Sequence, residues 1–89
     1  MSKVETALHN DLQALQLLRD ELRLQTHLLG ADMRDRWQAL ETDWDRLKEH
    51  ARRAQTAADD ALPEIETAAA LLVDALRRGY GDIRNALKA

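Results

Sequence analysis

The sequence predicts an all-α fold, read as a coiled-coil-like helical hairpin that self-associates, and three observations lead there. Apolar residues recur at steps of three and four along nearly the whole chain, the spacing that places side chains on one face of a helix. Charged residues make up 33% of the 89 positions and aromatics only 3%, the mix of long helices rather than strands. Only three glycines and one proline interrupt the chain. A single helical domain over 1–89 follows, because this length leaves no room for two domains.

The first helix is expected over about 3–60. Its apolar stripe runs Val4, Leu8, Leu12, Leu15, Leu18, Leu22, Leu29, Met33, Trp37, Leu40, Trp44 and Leu47, then Ala51, Ala54 and Ala58. In "LLGADMRD", Gly30 is a possible terminator and Asp32 a possible N-cap. The phase of the stripe argues for a helix that continues. Leu22, Leu29, Met33 and Leu40 stay on one face across the glycine. An isolated helical glycine costs only about 1 kcal/mol relative to alanine. Pro63, tolerated only in a first turn, marks a second helix over about 62–88, with Asp59 or Asp60 as its cap. The alternative is a three-helix bundle with breaks at Gly30 and Pro63. Three acid–arginine pairs four apart, Asp32–Arg36, Glu49–Arg53 and Asp74–Arg78, are set to brace the exposed faces.

Trp37 and Trp44 are two of only three aromatic residues, with Tyr80. They share a seam with Leu40 and Leu47, the positions of knobs in a facing hole. A base-stacking platform needs basic surroundings, whereas Asp35, Glu41, Asp43 and Asp45 lie around them. The hairpin core is therefore expected to be Trp37, Leu40, Trp44 and Leu47 against Ile65, Leu72 and Leu76. Trp37 is expected to be less covered than Trp44, nearer to where the returning helix runs out.

Segment 12–29 carries eight leucines, more than one stripe holds. Leu17, Leu24 and Leu28 form a second row, which marks them as the association surface of a homodimer. A small chain buries only about 60% of its unfolded surface, so self-association is the remaining route to stability when no cysteine supplies a staple. Small Ala51, Ala54, Ala58 and Ala61 either let helices approach closely or leave that stretch loosely packed.

The string "LRDELRLQTHLLGADMRDRWQALETDWDRLKEH", followed by "AAALLVDALRRGYGDI", resembles a group of small bacterial coiled-coil proteins sometimes labelled stress-response proteins. The resemblance covers about three quarters of the chain and implies a coiled-coil fold and a stress-related role. It supplies no catalytic residue. Members of the group lack a glycine where Gly30 stands, which favours the continuous helix.

Chemistry is sparse. Glu5 and His9 share a helical face but fill only half a coordination sphere, and His27 and His50 are distant, so no metal is expected. His27, beside the second leucine row, is a pH-sensitive candidate for that surface. Ser2 is the only serine and sits at the terminus, there is no phosphate-binding glycine loop, and carboxylates on solvated helix flanks lack a pocket to shift their pKa. No catalytic residue and no cofactor are expected; the chain reads as non-enzymatic. A net charge of −3 disfavours general nucleic-acid binding, and acids dilute the basic pairs Arg52–Arg53 and Arg77–Arg78. No apolar run reaches the roughly 20 residues of a membrane span, and the N-terminus meets acids too early for a secretory signal. A cytoplasmic structural or adaptor protein with an unknown protein partner is the expectation. The alternative is an amphipathic binder of lipid or granule surfaces.

Overall fold

The computed structural model describes residues 3–88, of which residues 3–6 are described by backbone alone. The chain forms three helices: α1 over Lys3–Arg23, α2 over Ala31–Thr56 and α3 over Leu62–Lys88. No strand is present among the described residues. The expected continuous helix over about 3–60 is not what forms. Such a helix would be more than 80 Å long at ~1.5 Å per residue, whereas the whole molecule measures 45 × 18 × 15 Å.

The break lies upstream of the glycine. Helix α1 ends at Arg23, and a 3-10 turn over Thr26–Leu28 reverses the chain. The turn is closed by Gln25 N–H to Leu22 O (2.9 Å), Leu28 N–H to Gln25 O (3.0 Å) and Leu29 N–H to Thr26 O (3.1 Å). Gly30 then serves as the N-cap of α2 in extended backbone, φ −70° and ψ 171°. Asp32, expected as the cap, instead sits inside the first turn, where its charge favours the positive end of the helix. The second break spans residues 57–61, with Pro63 inside the first turn of α3 as the ring's fixed φ requires.

Cross-contacts define the topology. Arg36 meets Asp82 and the Trp37 ring meets Tyr80, while His50 and Arg53 line one surface groove with Ile65 and Ala68. Rising α2 numbers thus meet falling α3 numbers: the two are antiparallel. Arg19 to Glu41, and Leu8 beside Ala54, show the same for α1 and α2. Asp11–Arg77 and Glu21–Arg84 run α1 parallel to α3. The three helices pack side by side, up, down and up, with the α2–α3 interface the most extensive.

One continuous core joins them. It comprises Leu8, Leu15, Leu22 and Leu29 from the first segment, and Trp37, Leu40, Trp44, Leu47 and Ala54 from α2. Helix α3 adds Ile65, Ala69, Val73, Leu76, Tyr80 and Ile83. At Gly79 a Cβ would overlap the Leu40 methyls, the second of them at 2.9 Å. Leu40 is thereby seated on bare backbone of the facing helix.

Of the three expected surface pairs only Asp74–Arg78 forms, at 2.8 Å. Arg36 reaches across to Asp82 on α3 at 2.5 Å, and Glu49 takes Arg52 one position nearer than expected. Exposed pairs of this kind are interchangeable because each contributes little.

Gly79→Ala tests the Leu40 seat. Overpacking a well-filled core costs about 1–3 kcal/mol, against about 1 kcal/mol gained in helix propensity. Urea denaturation is expected to show a net loss of up to about 2 kcal/mol in the native background. In a Leu40→Ala background the same change should carry no penalty.

Candidate functional site

Two surfaces have features beyond plain helix packing: the aromatic seam between the helices, and the leucine row outside them. At the seam, Trp37 and Trp44 are 6% and 4% exposed. Trp37 packs on Tyr80 with ring centroids 5.8 Å apart and planes tilted by 42°, a favourable arrangement for two ring quadrupoles. Helix α3 continues eight residues past Tyr80, so Trp37 is covered as fully as Trp44, contrary to the expectation that cover runs out near it. Both are fully enclosed packing residues.

Trp44 is also where α1 is held. The Arg19 guanidinium sits 5.7 Å from the Trp44 ring centroid and Lys48 Nζ 5.9 Å from it, both within cation–π range. Arg19 donates from Nε and Nη2 to the two carboxylate oxygens of Glu41, each at 2.7 Å. This is a bidentate fork, stronger than a single-point ion pair. The Glu41 hydrogen bond is the main reason the guanidinium is held above its ordinary pKa. Partly shielded from water, the fork is the most ordered polar link between α1 and α2.

Tyr80 lies under this cluster. It is fully buried, and its hydroxyl has no hydrogen-bond partner. Burial pushes the phenol well above its usual pKa, with nearby Glu41 adding to the rise. The ring supplies apolar area; the hydroxyl is an uncompensated cost.

Of the expected hairpin core, Trp37, Leu40, Trp44, Leu47, Ile65 and Leu76 are brought together in the interior, and Leu72 packs half-buried at its edge. Val73, Gly79 and Tyr80 were missed, and Ile83, on the apolar stripe of the second helix, was not placed in the hairpin core. The step Leu76–Tyr80–Ile83 was the signal for two of them. Of the alanines, Ala54 is buried and faces the core while Ala58 is exposed in the connection.

Leu17, Leu24 and Leu28 are 74%, 74% and 67% exposed. They lie on the side of α1 and its following turn that faces away from α2 and α3. Leu71 on α3, 69% exposed, is a fourth large apolar residue on the surface that the sequence reading did not single out. A surface groove of about 460 Å³ passes beside it along the outside of α3. His9 and His27 are exposed and His50 is half-buried. Among the described residues no three His, Asp or Glu side chains gather closely enough to hold a metal. Ser2, and the side chains of Val4 and Glu5, lie outside the described residues. Among the described residues no helix is long and apolar enough to cross a membrane. No protein-family model matches the chain, and comparisons with curated proteins and with solved structures return no match.

Truncating either tryptophan to alanine is expected to cost about 3–5 kcal/mol, the usual range for a buried aromatic. Denaturation followed by circular dichroism measures it, and the two losses should be similar. Tyr80→Phe is expected to stabilise by about 1 kcal/mol, since it deletes an unpaired buried hydroxyl and keeps the ring. The native phenol titrates above its unfolded value near 10. Its contribution is thus fully present below pH 10 and lost as pH rises beyond it. Stability measured from pH 8 to 11 should fall more steeply for the native protein than for Tyr80→Phe.

Proposed function

We propose that this chain is a non-enzymatic structural or adaptor module whose work is to present a helical surface to a second copy of itself and to a partner protein. The observation that carries this is the exposure of Leu17, Leu24 and Leu28 on a chain whose other stripe is already satisfied. All the bulky apolar residues of the inner stripe, from Leu8 to Ile83, are at least half-buried among the three helices. Leu17 stands on α1 and Leu24 and Leu28 in the connection that follows it, and exposed large apolar side chains such as these are candidates for an interaction site. A homodimer joined through this row is the simplest assembly.

The tryptophans support this reading over attachment to a lipid or granule surface. An amphipathic surface binder keeps its large apolar side chains available for the acyl boundary. Here both indoles are enclosed by α3 and, at Trp44, by Arg19. A cytoplasmic setting and a stress-related role belong to the same proposal; the second rests on the resemblance noted above.

Replacing Leu17, Leu24 and Leu28 together by glutamine tests the row. Sedimentation velocity over a wide concentration range is expected to show the native chain associating and the triple variant monomeric. Each change should alter stability by no more than about 0.5 kcal/mol, as for other exposed positions. A triple variant that associates like the native chain would remove the row from the interface.

A further inference from the structure

Helix α1 makes fewer contacts than the α2–α3 pair, and the segment leading into α2 is held by local bonds and the burial of Leu29. All three backbone hydrogen bonds within residues 22–29 are local, each reaching three residues back. The Thr26 hydroxyl likewise donates to Arg23 O at 3.0 Å. Every one of them can be exchanged for the four-residue bond of an α-helix without breaking a long-range contact. The one bond from outside is weak: the Arg34 guanidinium to His27 O at 3.3 Å. No residue here has positive φ, and a Cβ at Gly30 would meet nothing within 4 Å. The segment contains no proline.

The apolar pattern also permits a straight helix through it. At about 100° per residue, the buried side chains Leu8, Leu15, Leu22, Leu29, Trp37, Leu40, Trp44, Leu47 and Ala54 all fall within an arc of about 100°. The register of the folded chain places the crossing of such a rod. Arg19 pairs with Glu41, which puts the midpoint of the α1–α2 contact at residue 30. Leu8 shares a cavity of about 50 Å³ with Ala54, which puts it at residue 31. Two antiparallel copies of a straight helix in that register would cross at Gly30, the one residue of the segment without a side chain.

We infer that the chain has a second, domain-swapped state, in which residues 3–56 form one helix and α1 of each copy packs on the α2–α3 pair of the other. The contacts of α1 are all reused: Arg19 forks onto Glu41, Asp11 meets Arg77 and Leu8, Leu15 and Leu22 fill the same core, now between copies. New contact is confined to the crossing, where Leu29 and Met33 of the two copies meet beside paired glycines. Because the swapped form changes only the connection and not the interface, the closed and swapped forms differ little in energy, and the linker sets the balance. Gly30 tips it to the closed form: it is a poor helix residue and a good N-cap. The inference rests on the proposed self-association but not on the leucine row, which points away from the crossing.

The test is made in the Leu17, Leu24 and Leu28 triple-glutamine background, so that the row does not contribute. Gly30→Ala favours the helix at two linkers per dimer and should tighten dimerisation about thirtyfold. Ala31→Pro should abolish it, because proline suits the first position of α2 and blocks a helix through residue 30, whose extended backbone already suits a pre-proline position. Spin labels on exposed Gln16 and Thr42, after Gln16→Cys and Thr42→Cys, report the path of a single chain when diluted with excess unlabelled protein. The closed form gives a short distance, and the swapped form about 39 Å, the length of 26 helical residues. Dimers of Gly30→Ala with the long distance, and monomers of Ala31→Pro with the short one, are the expected result. Dimers that keep the short distance, or Gly30→Ala chains that stay monomeric at high concentration, overturn the swap. Neither outcome bears on the leucine row, which is read in the Gly30 background alone.

Discussion

Everything else in this molecule depends on how closely α2 and α3 approach at Leu40 and Gly79. With no Cβ at position 79, the Leu40 methyls rest on the α3 backbone. That contact brings Trp37 onto Tyr80 one turn to one side and aligns Leu47 and Leu76, both without exposed area, on the other. A larger residue at 79 would displace the Leu40 methyls from this seat, at the cost of overpacking a filled core. The antiparallel register, including the Arg36–Asp82 pair, follows from which leucine meets which glycine.

Helix α1 is added to this pair through a different kind of contact. Its leucines at 8, 15 and 22 supply one buried residue every second turn, a narrower stripe than that of α2 or α3. Polar geometry makes up part of the difference. Arg19 lies over the Trp44 ring and engages Glu41 with both ends of its fork. Arginine suits this place because its planar, weakly hydrated head can be stacked and hydrogen-bonded together. The consequence is a graded fold: an apolar pair of helices made rigid by side-chain fit, and a third helix attached by a thinner stripe and a charged fork.

The helical class and most of the interior were legible in the sequence because period is a robust signal. Trp37, Leu40, Trp44 and Leu47 sit where their spacing puts them, and the exposure of Leu17, Leu24 and Leu28 follows from the same arithmetic. Turns were less legible. Residues 24–30, "LQTHLLG", hold only one turn-forming residue, at the far end, and a good continuation of the stripe at Leu29. Chain reversal there is decided by tertiary packing: folding α1 back buries three leucines that a monomeric straight helix would leave in water. Local propensity cannot report that. The partners of Glu49 and Arg36 were illegible for a related reason, since exposed charges choose among neighbours of nearly equal energy. Gly79 was readable only as a helix interruption; its role appears once Leu40 is opposite it.

The same conflict explains why the linker matters. A stripe that keeps its phase across a reversal is not required by the closed fold, in which α1 and α2 are independently oriented cylinders and any phase between them could be accommodated by the turn. The buried residues of α3 keep the same phase beyond Pro63, so the phase permits a rod at the first linker without requiring one. The linker correspondingly carries neither a left-handed residue nor a proline, the two devices that would forbid the rod outright. What holds the reversal is a single N-cap glycine, a set of three-residue turn bonds and the burial of Leu29. Those are weak local terms set against an apolar interface that is identical in both connections. In such a balance one backbone position, where glycine trades helix propensity for capping, decides which connection the chain uses.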